Sequence, residues 1–348
     1  MKVAIIIPRI DQLGPVKVIQ TLVNSLSEND KIQIKVFYID QLVDSQVKLM
    51  VPVEKLDQKT FDFNEFDIIH TNGIRPDLFA FLNRKKIKFH ISTIHNFVFE
   101  DLLFSYNKII SFIFGNLWLL IWRGADKLVC LSPAMKNYYG RWFSRSKLEV
   151  IFNGIDEHDY PIIPDNEIMD KIAGFRSIGL KVIGSIGILT RRKGFDQILN
   201  LISINKELAL IIIGKGKELG NLKALATKLG IHDRCFFCGF RSNAANYIKH
   251  FDFFIMPSRS EGFGLALIED VQQKVPVICS DIAVFRELFT IEEVTFFELE
   301  NISSLAEALE EACETGSSKV IPAFNRYQNN YTGKLMADNY LRLYHSCC

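Results

Sequence analysis

The residues best equipped for chemistry lie in one short stretch, Pro257-Ser-Arg-Ser-Glu261-Gly-Phe-Gly264-Leu-Ala-Leu-Ile-Glu269. An apolar run ends at Met256, glycines follow at 262 and 264, and a segment of helical character begins near Leu265. Glycine admits a ligand close to the backbone because no Cβ intervenes. The free N–H groups of a new helix then suit an anion such as a diphosphate. Glu261 falls in the loop, where its carboxylate can point at a ligand, and Glu269 falls in the helix. Eight residues apart, the two can address different parts of one elongated molecule. A carboxylate accepting from both hydroxyls of a diol is what ribose or hexose recognition requires. The plainer alternative is that Glu261 caps the helix and Glu269 is a surface carboxylate.

Such a loop needs a strand before it and a helix after it, and the whole chain is written that way. Val3–Ile7, Ile32–Ile39, Phe66–His70, Lys88–Ile94, Lys127–Leu131 and Lys147–Phe152 read as strands. Val16–Leu26 carries apolar residues at helical spacing. A second series follows at Lys181–Ile188, Ala209–Ile213, Arg234–Phe237, Phe253–Met256 and Val275–Cys279, and a last helix spans about Tyr331–Tyr344. Strands alternating with helices predict an α/β fold of two Rossmann-like, doubly wound parallel-sheet domains facing a cleft. The expected division is residues 1–160, joined by the C-terminal helix 331–348, and residues 165–330. Prolines 161 and 164 mark Tyr160–Pro164 as the linker, where a hinge would let the cleft open and close.

With 348 residues the chain is long enough for two such domains. Hydrophobic residues at 48% and charged residues at 23% are a globular composition. A formal charge of +1 provides no overall field for nucleic acid, so none is expected as a partner. Seven cysteines, and an apolar start (Met1–Pro8) too short for a secretory signal, suggest reduced thiols in a cytosolic protein. Cys235 and Cys238 have zinc-like spacing but no matching second pair, so a buried strand is the better reading. No Asp-x-Asp motif or metal-ligand cluster is present, and the expectation is no metal and no cofactor. Ile109–Trp122 is almost wholly apolar, yet its 14 residues fall short of the roughly 20 that span a bilayer. It is either a core helix or, with Lys108, Arg123 and Lys127 at its ends, an interfacial helix on the inner membrane face. Phe97, Phe99, Leu102, Leu103 and Phe104 would extend that surface across residues 97–123.

The stretch Glu261–Glu269 resembles the Glu-(seven residues)-Glu signature of glycosyltransferase family 4. Lys274-Val-Pro-Val-Ile-Cys279 resembles the family's "G-x-PVI" strand, with lysine where glycine is usual. Gly187-Ile-Leu-Thr-Arg-Arg-Lys193-Gly194, Ile211-Ile-Ile-Gly214-Lys-Gly216 and Phe237-Cys-Gly239 resemble the "GRL-xxx-KG", "IxGxG" and "FLG" blocks. In the first half, Ile94-His95-Asn96, Leu131-Ser132 and Ile151–Asp156 resemble its "t-H", "vS" and "NGID" blocks. The resemblance covers nearly the whole chain and implies the GT-B architecture. It also implies a retaining, metal-independent transferase that moves a hexose or N-acetylhexosamine from a nucleotide diphosphate sugar, UDP-sugars being commonest. The acceptor would be a carbohydrate or lipid-linked oligosaccharide of surface polysaccharide synthesis.

The resemblance further implies individual roles. Lys193 with Arg191 or Arg192 would neutralise the donor diphosphate, as three adjacent cations before a helix suit a phosphate. A solvated basic turn is the alternative. Ile188 stands where the family usually has arginine, so Arg191 or Arg192 would reach in its stead, or one phosphate contact is lost. Glu261 would bind hydroxyls of the transferred sugar and Glu269 the ribose diol, while Gly262, Phe263 and Gly264 offer backbone amides. His95 would lie near the transferred sugar. Gly14 would let the following helix approach the diphosphate, although Leu13 replaces one glycine of the usual pair. His70 and Asn72 end a strand on the acceptor side without an assigned role. No residue is an evident nucleophile, which favours front-face displacement over a covalent intermediate. Two other classes share the fold: a nucleotide-sugar epimerase, and a non-catalytic sugar-nucleotide-binding partner.

Overall fold

The computed structural model describes the chain except residues 11–13, 41–47, 157–165, 242–243 and 348. The linker expected at Tyr160–Pro164 lies outside the described residues. Two compact units are present, residues 1–156 with 330–348 and residues 157–329.

The first unit is built on β1 (Lys2–Ile7), β2 (Gln33–Tyr38), β3 (Val53–Lys55), β4 (Ile68–Asn72), β5 (Phe89–Ile94), β6 (Lys127–Cys130) and β7 (Leu148–Val150). The second contains β8 (Lys181–Ile186), β9 (Leu208–Ile213), β10 (Cys235–Gly239), β11 (Phe253–Met256), β12 (Val277–Ser280) and β13 (Thr295–Phe297). Every pairing is parallel. The orders are β3-β2-β1-β4-β5-β6-β7 and β10-β9-β8-β11-β12-β13. Central strands such as Leu-Ala-Leu-Ile-Ile-Ile of β9 are buried along their whole length, because helices cover both sheet faces. In each sheet the winding reverses beside the first strand, between β1 and β4 and between β8 and β11. Loops leaving those strand ends are where doubly wound folds hold ligands. They include Gly187–Gly194 after β8, Pro257–Gly264 after β11 and the turn at Gly73 after β4.

The terminal helix Gly333–His345 belongs to the first unit. Its N-terminus is capped by Thr332, whose hydroxyl accepts from the Leu335 amide. Its buried tyrosines bind the sheet: the Tyr344 hydroxyl lies 2.7 Å from His70 Nδ1, and that of Tyr340 lies 2.9 Å from Thr93 Oγ1. His70 Nε2 completes the chain at 2.8 Å from Thr93 Oγ1. His70 is therefore a fully buried tie between sheet and helix rather than an acceptor-side group.

The apolar segment is the helix Lys108–Trp122, and it is not a core helix. Ser111, Gly115, Leu119, Ile121 and Trp122 are buried, while Ile109, Phe112, Ile113, Phe114, Leu117 and Leu120 are exposed. Among the described residues no helix is long and apolar enough to cross a membrane.

Candidate functional site

In the second unit, two loops place opposite charges together. Glu261 is 7% exposed, and its Oε1 accepts from Lys193 Nζ at 2.6 Å and from Ser258 Oγ at 2.7 Å. Its Oε2 lies 3.1 Å from Arg192 Nη1, which also donates to the Ser260 carbonyl at 2.6 Å. Burial alone would raise the Glu261 pKa, but Lys193 and then Arg192 outweigh it and hold the carboxyl at about 2. Glu261 thus stays ionised, and it does not cap the helix. The cap position of Leu265–Gln272 is Gly264, at φ 87° and without a side-chain hydrogen bond. Of the two arginines that could stand in for the missing one at Ile188, Arg192 joins this cluster. Arg191 is exposed.

Close approach makes glycine necessary at 194. Its φ is +68°, and a Cβ there would fall 2.0 Å from the Pro257 carbonyl oxygen. That contact is what lets the basic turn Arg191–Lys193 pack on the loop after β11. Residues without a sequence-level assignment complete the fit. Gln197 donates to the Pro257 carbonyl at 2.9 Å, and Ser280 donates to the Ser258 carbonyl at 2.5 Å. Arg259 pairs with Asp196 at 2.7 Å and with Glu300, and its amide donates to the Arg192 carbonyl at 2.8 Å. Gly262 and Phe263 are buried in the loop, and Glu269 is half-buried in the helix. Next to Glu269, Asp270 is fully buried, and neither of its oxygens has a hydrogen-bond partner. Burial, reinforced by Glu269 and opposed by Lys193, pushes its pKa well above the ordinary value.

In the first unit, a cavity of about 430 Å³ opens below the ends of β1, β4 and β5. Arg9, Asn72, Arg75, Asp77, His95 and Trp118 are among its walls, together with Pro15 and Val16, which follow Gly14 in the helix Gly14–Leu26. His95 Nε2 lies 3.0 Å from Asn72 Oδ1, and burial lowers the His95 pKa to about 4, so the imidazole is neutral. Asn72 Nδ2 is buried and has no hydrogen-bond partner. Asp77 receives hydrogen bonds from Ser92 Oγ at 2.7 Å and Trp122 Nε1 at 2.9 Å.

Cys235 and Cys238 lie on a strand, β10, but of the two only Cys238 is buried, because β10 is at the sheet edge; among the described residues no group of His, Cys, Asp or Glu could hold a metal ion.

Comparison with known proteins agrees with this arrangement. Residues 173–328 match the family model "Glycosyl transferases group 1", and residues 24–159 match "Glycosyltransferase Family 4". The chain is 34% identical to the O-antigen biosynthesis glycosyltransferase WclY of Escherichia coli, over 99% of this chain and 98% of that one. It is 25% identical to the E. coli UDP-Gal:alpha-D-GlcNAc-diphosphoundecaprenol alpha-1,3-galactosyltransferase, over 76% of this chain and 69% of that protein. Among solved structures, sucrose-phosphate synthase from Thermosynechococcus elongatus superposes with a TM-score of 0.84 at 17% identity, covering 99% of this chain and 98% of that one. Anabaena HepE in complex with UDP and glucose does so at 0.79 and 16%, covering 99% and 100%. The two parallel-sheet units are those of the GT-B fold, and the chain belongs to glycosyltransferase family 4.

Proposed function

We propose that this chain transfers a hexose or N-acetylhexosamine from a UDP-sugar to a lipid-linked oligosaccharide in surface polysaccharide synthesis, with retention of anomeric configuration and without a metal. The observation that carries the donor reading is Glu261, held ionised against Lys193 and Arg192 on a glycine loop that opens a helix lacking a side-chain cap. A diphosphate and a polyol ask for that combination of cations, backbone amides and a fixed carboxylate. Lys193 and Arg192 stabilise the departing diphosphate, Glu261 orients hydroxyls of the transferred sugar, and Glu269 takes the ribose diol. Arg192 supplies the second cation that Ile188 cannot. Front-face displacement balances without a protein nucleophile. The acceptor oxygen bonds to the anomeric carbon on the side the phosphate leaves, and its proton passes to the departing phosphate oxygen. The relatives' names, O-antigen biosynthesis and a diphosphoundecaprenol acceptor, support the acceptor class.

The helix Lys108–Trp122 supports a place at a membrane surface. Its outward face has no acidic residue, and the exposed basic residues Lys108 and Arg123 stand at its ends. An apolar stripe with cationic ends suits the boundary of an anionic bilayer, where a lipid-linked acceptor is found.

The test is thermal stabilisation by UDP-, GDP- and ADP-sugars without added metal, on the wild type and on Lys193→Ala and Glu269→Ala. UDP-sugars should raise the wild-type melting temperature, and both variants should respond less. A folded wild type that responds to none of them would sink the donor assignment.

A further inference from the structure

Arg259 is a cation inside the signature loop, two residues before Glu261, and by charge alone it would be counted among the diphosphate ligands. The structure spends it elsewhere. Its Nη1 and Nη2 fork onto Asp196 at 3.0 and 2.7 Å, in the first turn of the helix Phe195–Ile204, and its Nε donates to Glu300. Nη1 also donates to the Arg191 carbonyl at 2.5 Å, and the Arg259 amide donates to the Arg192 carbonyl at 2.8 Å. Arg259 therefore holds, by their backbone, the two residues that lead into Lys193. Glu300 is fixed in turn: it stands at φ 63°, and its amide donates to Gln197 Oε1 at 2.9 Å.

The basic turn needs such a holder. Arg191–Lys193 is a single 3-10 turn that sets three cations side by side, where they repel one another. A turn this short has little hold on its own shape. Glu261 grips it through the side chains of Lys193 and Arg192, but a diphosphate arriving on those cations competes with that carboxylate. Arg259 grips carbonyls, for which a phosphate does not compete. The side chains of Asp196 and Glu300 are 38% and 56% exposed, so their pairs with Arg259 add little stability. What they fix is the place of the guanidinium.

We infer that Arg259 is a positioning residue of the donor site, carrying the turn Arg191–Lys193 on the signature loop so that Lys193 and Arg192 stay aimed at the anion when Glu261 releases them. This rests on the glycosyl-transfer reading for the identity of the anion, whereas the hold on Lys193 is a property of the protein alone. Lysine at 259 would keep the charge but could not fork onto Asp196 while reaching the Arg191 carbonyl.

The test uses the full chain as wild type, Arg259→Met, Arg259→Lys, Lys193→Met and the double variant of Arg259→Met with Lys193→Met. Without ligand, the 1H–15N signal of the Lys193 ammonium, assigned by its loss in Lys193→Met, reports the pair with Glu261. With UDP as the probe, calorimetry gives the affinity. The wild type should show the ammonium signal; Arg259→Met should lose it and bind UDP about tenfold more weakly. Arg259→Lys should do little better. In the Lys193→Met background the Arg259→Met change should cost less than about twofold, because a residue that acts through Lys193 then has little left to place. A merely structural residue would weaken binding equally in both backgrounds, and that additivity would overturn the inference. So would wild-type affinity or an intact ammonium signal in Arg259→Met, or absence of the signal from the wild type. If Arg259→Met does not melt cooperatively, Arg259→Lys takes its place, alone and with Lys193→Met. UDP left unbound by the wild type would refute the donor reading, and the ammonium signal would then decide the inference by itself.

Discussion

Asp270→Asn should make the protein more stable at neutral pH, and the gain should grow with pH. Asp270 is fully buried in the helix behind the Glu261 loop, and its carboxyl oxygens have no partner. Desolvation, aided by Glu269, raises its folded pKa well above 3.8, so the native state keeps a proton that the unfolded chain releases. A group with a raised folded pKa contributes its full stability below the unfolded value, and that contribution is lost as pH rises towards the folded value. Each pH unit in that window costs about 1.4 kcal/mol. Asparagine is nearly isosteric with the protonated acid and does not titrate, so near the bottom of the window the two proteins should match. Above that the variant should gain about 1.4 kcal/mol per pH unit, on the order of 3–6 °C in melting temperature for a unit of this size, until the folded pKa is reached. Calorimetry of both proteins from pH 5 to 8 reads the difference directly, because every other titrating group is common to them. Parallel curves would refute the reasoning, since they would mean that Asp270 ionises in the folded state at no cost.

Glu261 has the opposite sign. With its pKa lowered from 4.5 to about 2, its pairing contributes stability above pH 4.5 that is lost as pH falls through about 2. At pH 7 Glu261→Gln should therefore cost about 3 kcal/mol, and an unchanged melting temperature would argue against the buried triad. His95, with a pKa lowered to about 4, stays neutral through the physiological range. His95→Asn should thus lower the transfer rate between pH 6 and 8 without changing the shape of the pH–rate profile; disappearance of a wild-type limb near pH 6.5 would contradict this. Replacing Ile109, Ile113 and Leu120 together by serine should weaken co-sedimentation with phosphatidylglycerol vesicles by about tenfold or more, the melting temperature being kept. Undiminished vesicle binding would move the membrane contact elsewhere.

Much of this was legible because parallel sheets write themselves as apolar runs. Short edge strands did not: Val53–Lys55 is exposed throughout, and Thr295–Phe297 is three residues long. Neither has the length from which a period can be read. The signature loop announced Glu261 and held its neighbour Ser258, but the residues that fix the loop itself, Arg259, Gln197 and Ser280, are ordinary polar residues whose partners at Asp196, Pro257 and Ser258 meet them only through the fold. Asp270 left a usable trace, since it stands three residues after Leu267 on the helix's apolar stripe, where an acid does not belong. Lys274, in place of the family's glycine, explains itself in space. It adopts φ 57° beyond the helix end, a conformation that costs most side chains energy, and its ammonium sits 4.1 Å from the centre of the Phe324 ring.

The helix Lys108–Trp122 shows where periodicity fails altogether. A helix apolar on all sides has no contrast from which to choose the buried face. Closeness of approach makes the choice instead. A Cβ on Gly115 would come within 2.4 Å of the Phe99 ring, and Ser111 Oγ donates to the Phe99 carbonyl at 2.6 Å. The small residues Ser111 and Gly115 therefore turn inward against the helix Val98–Ser105, and Leu119 and Trp122 follow one and two turns later on the same side. That leaves the large side chains of Ile109, Phe112, Ile113, Leu117 and Leu120 facing out. Hydrophobicity alone would have buried them. Packing by the small residues turns the same helix so that Trp118 and Trp122 line the cavity at the ends of β1, β4 and β5 on one side, while the other presents an apolar surface to its surroundings.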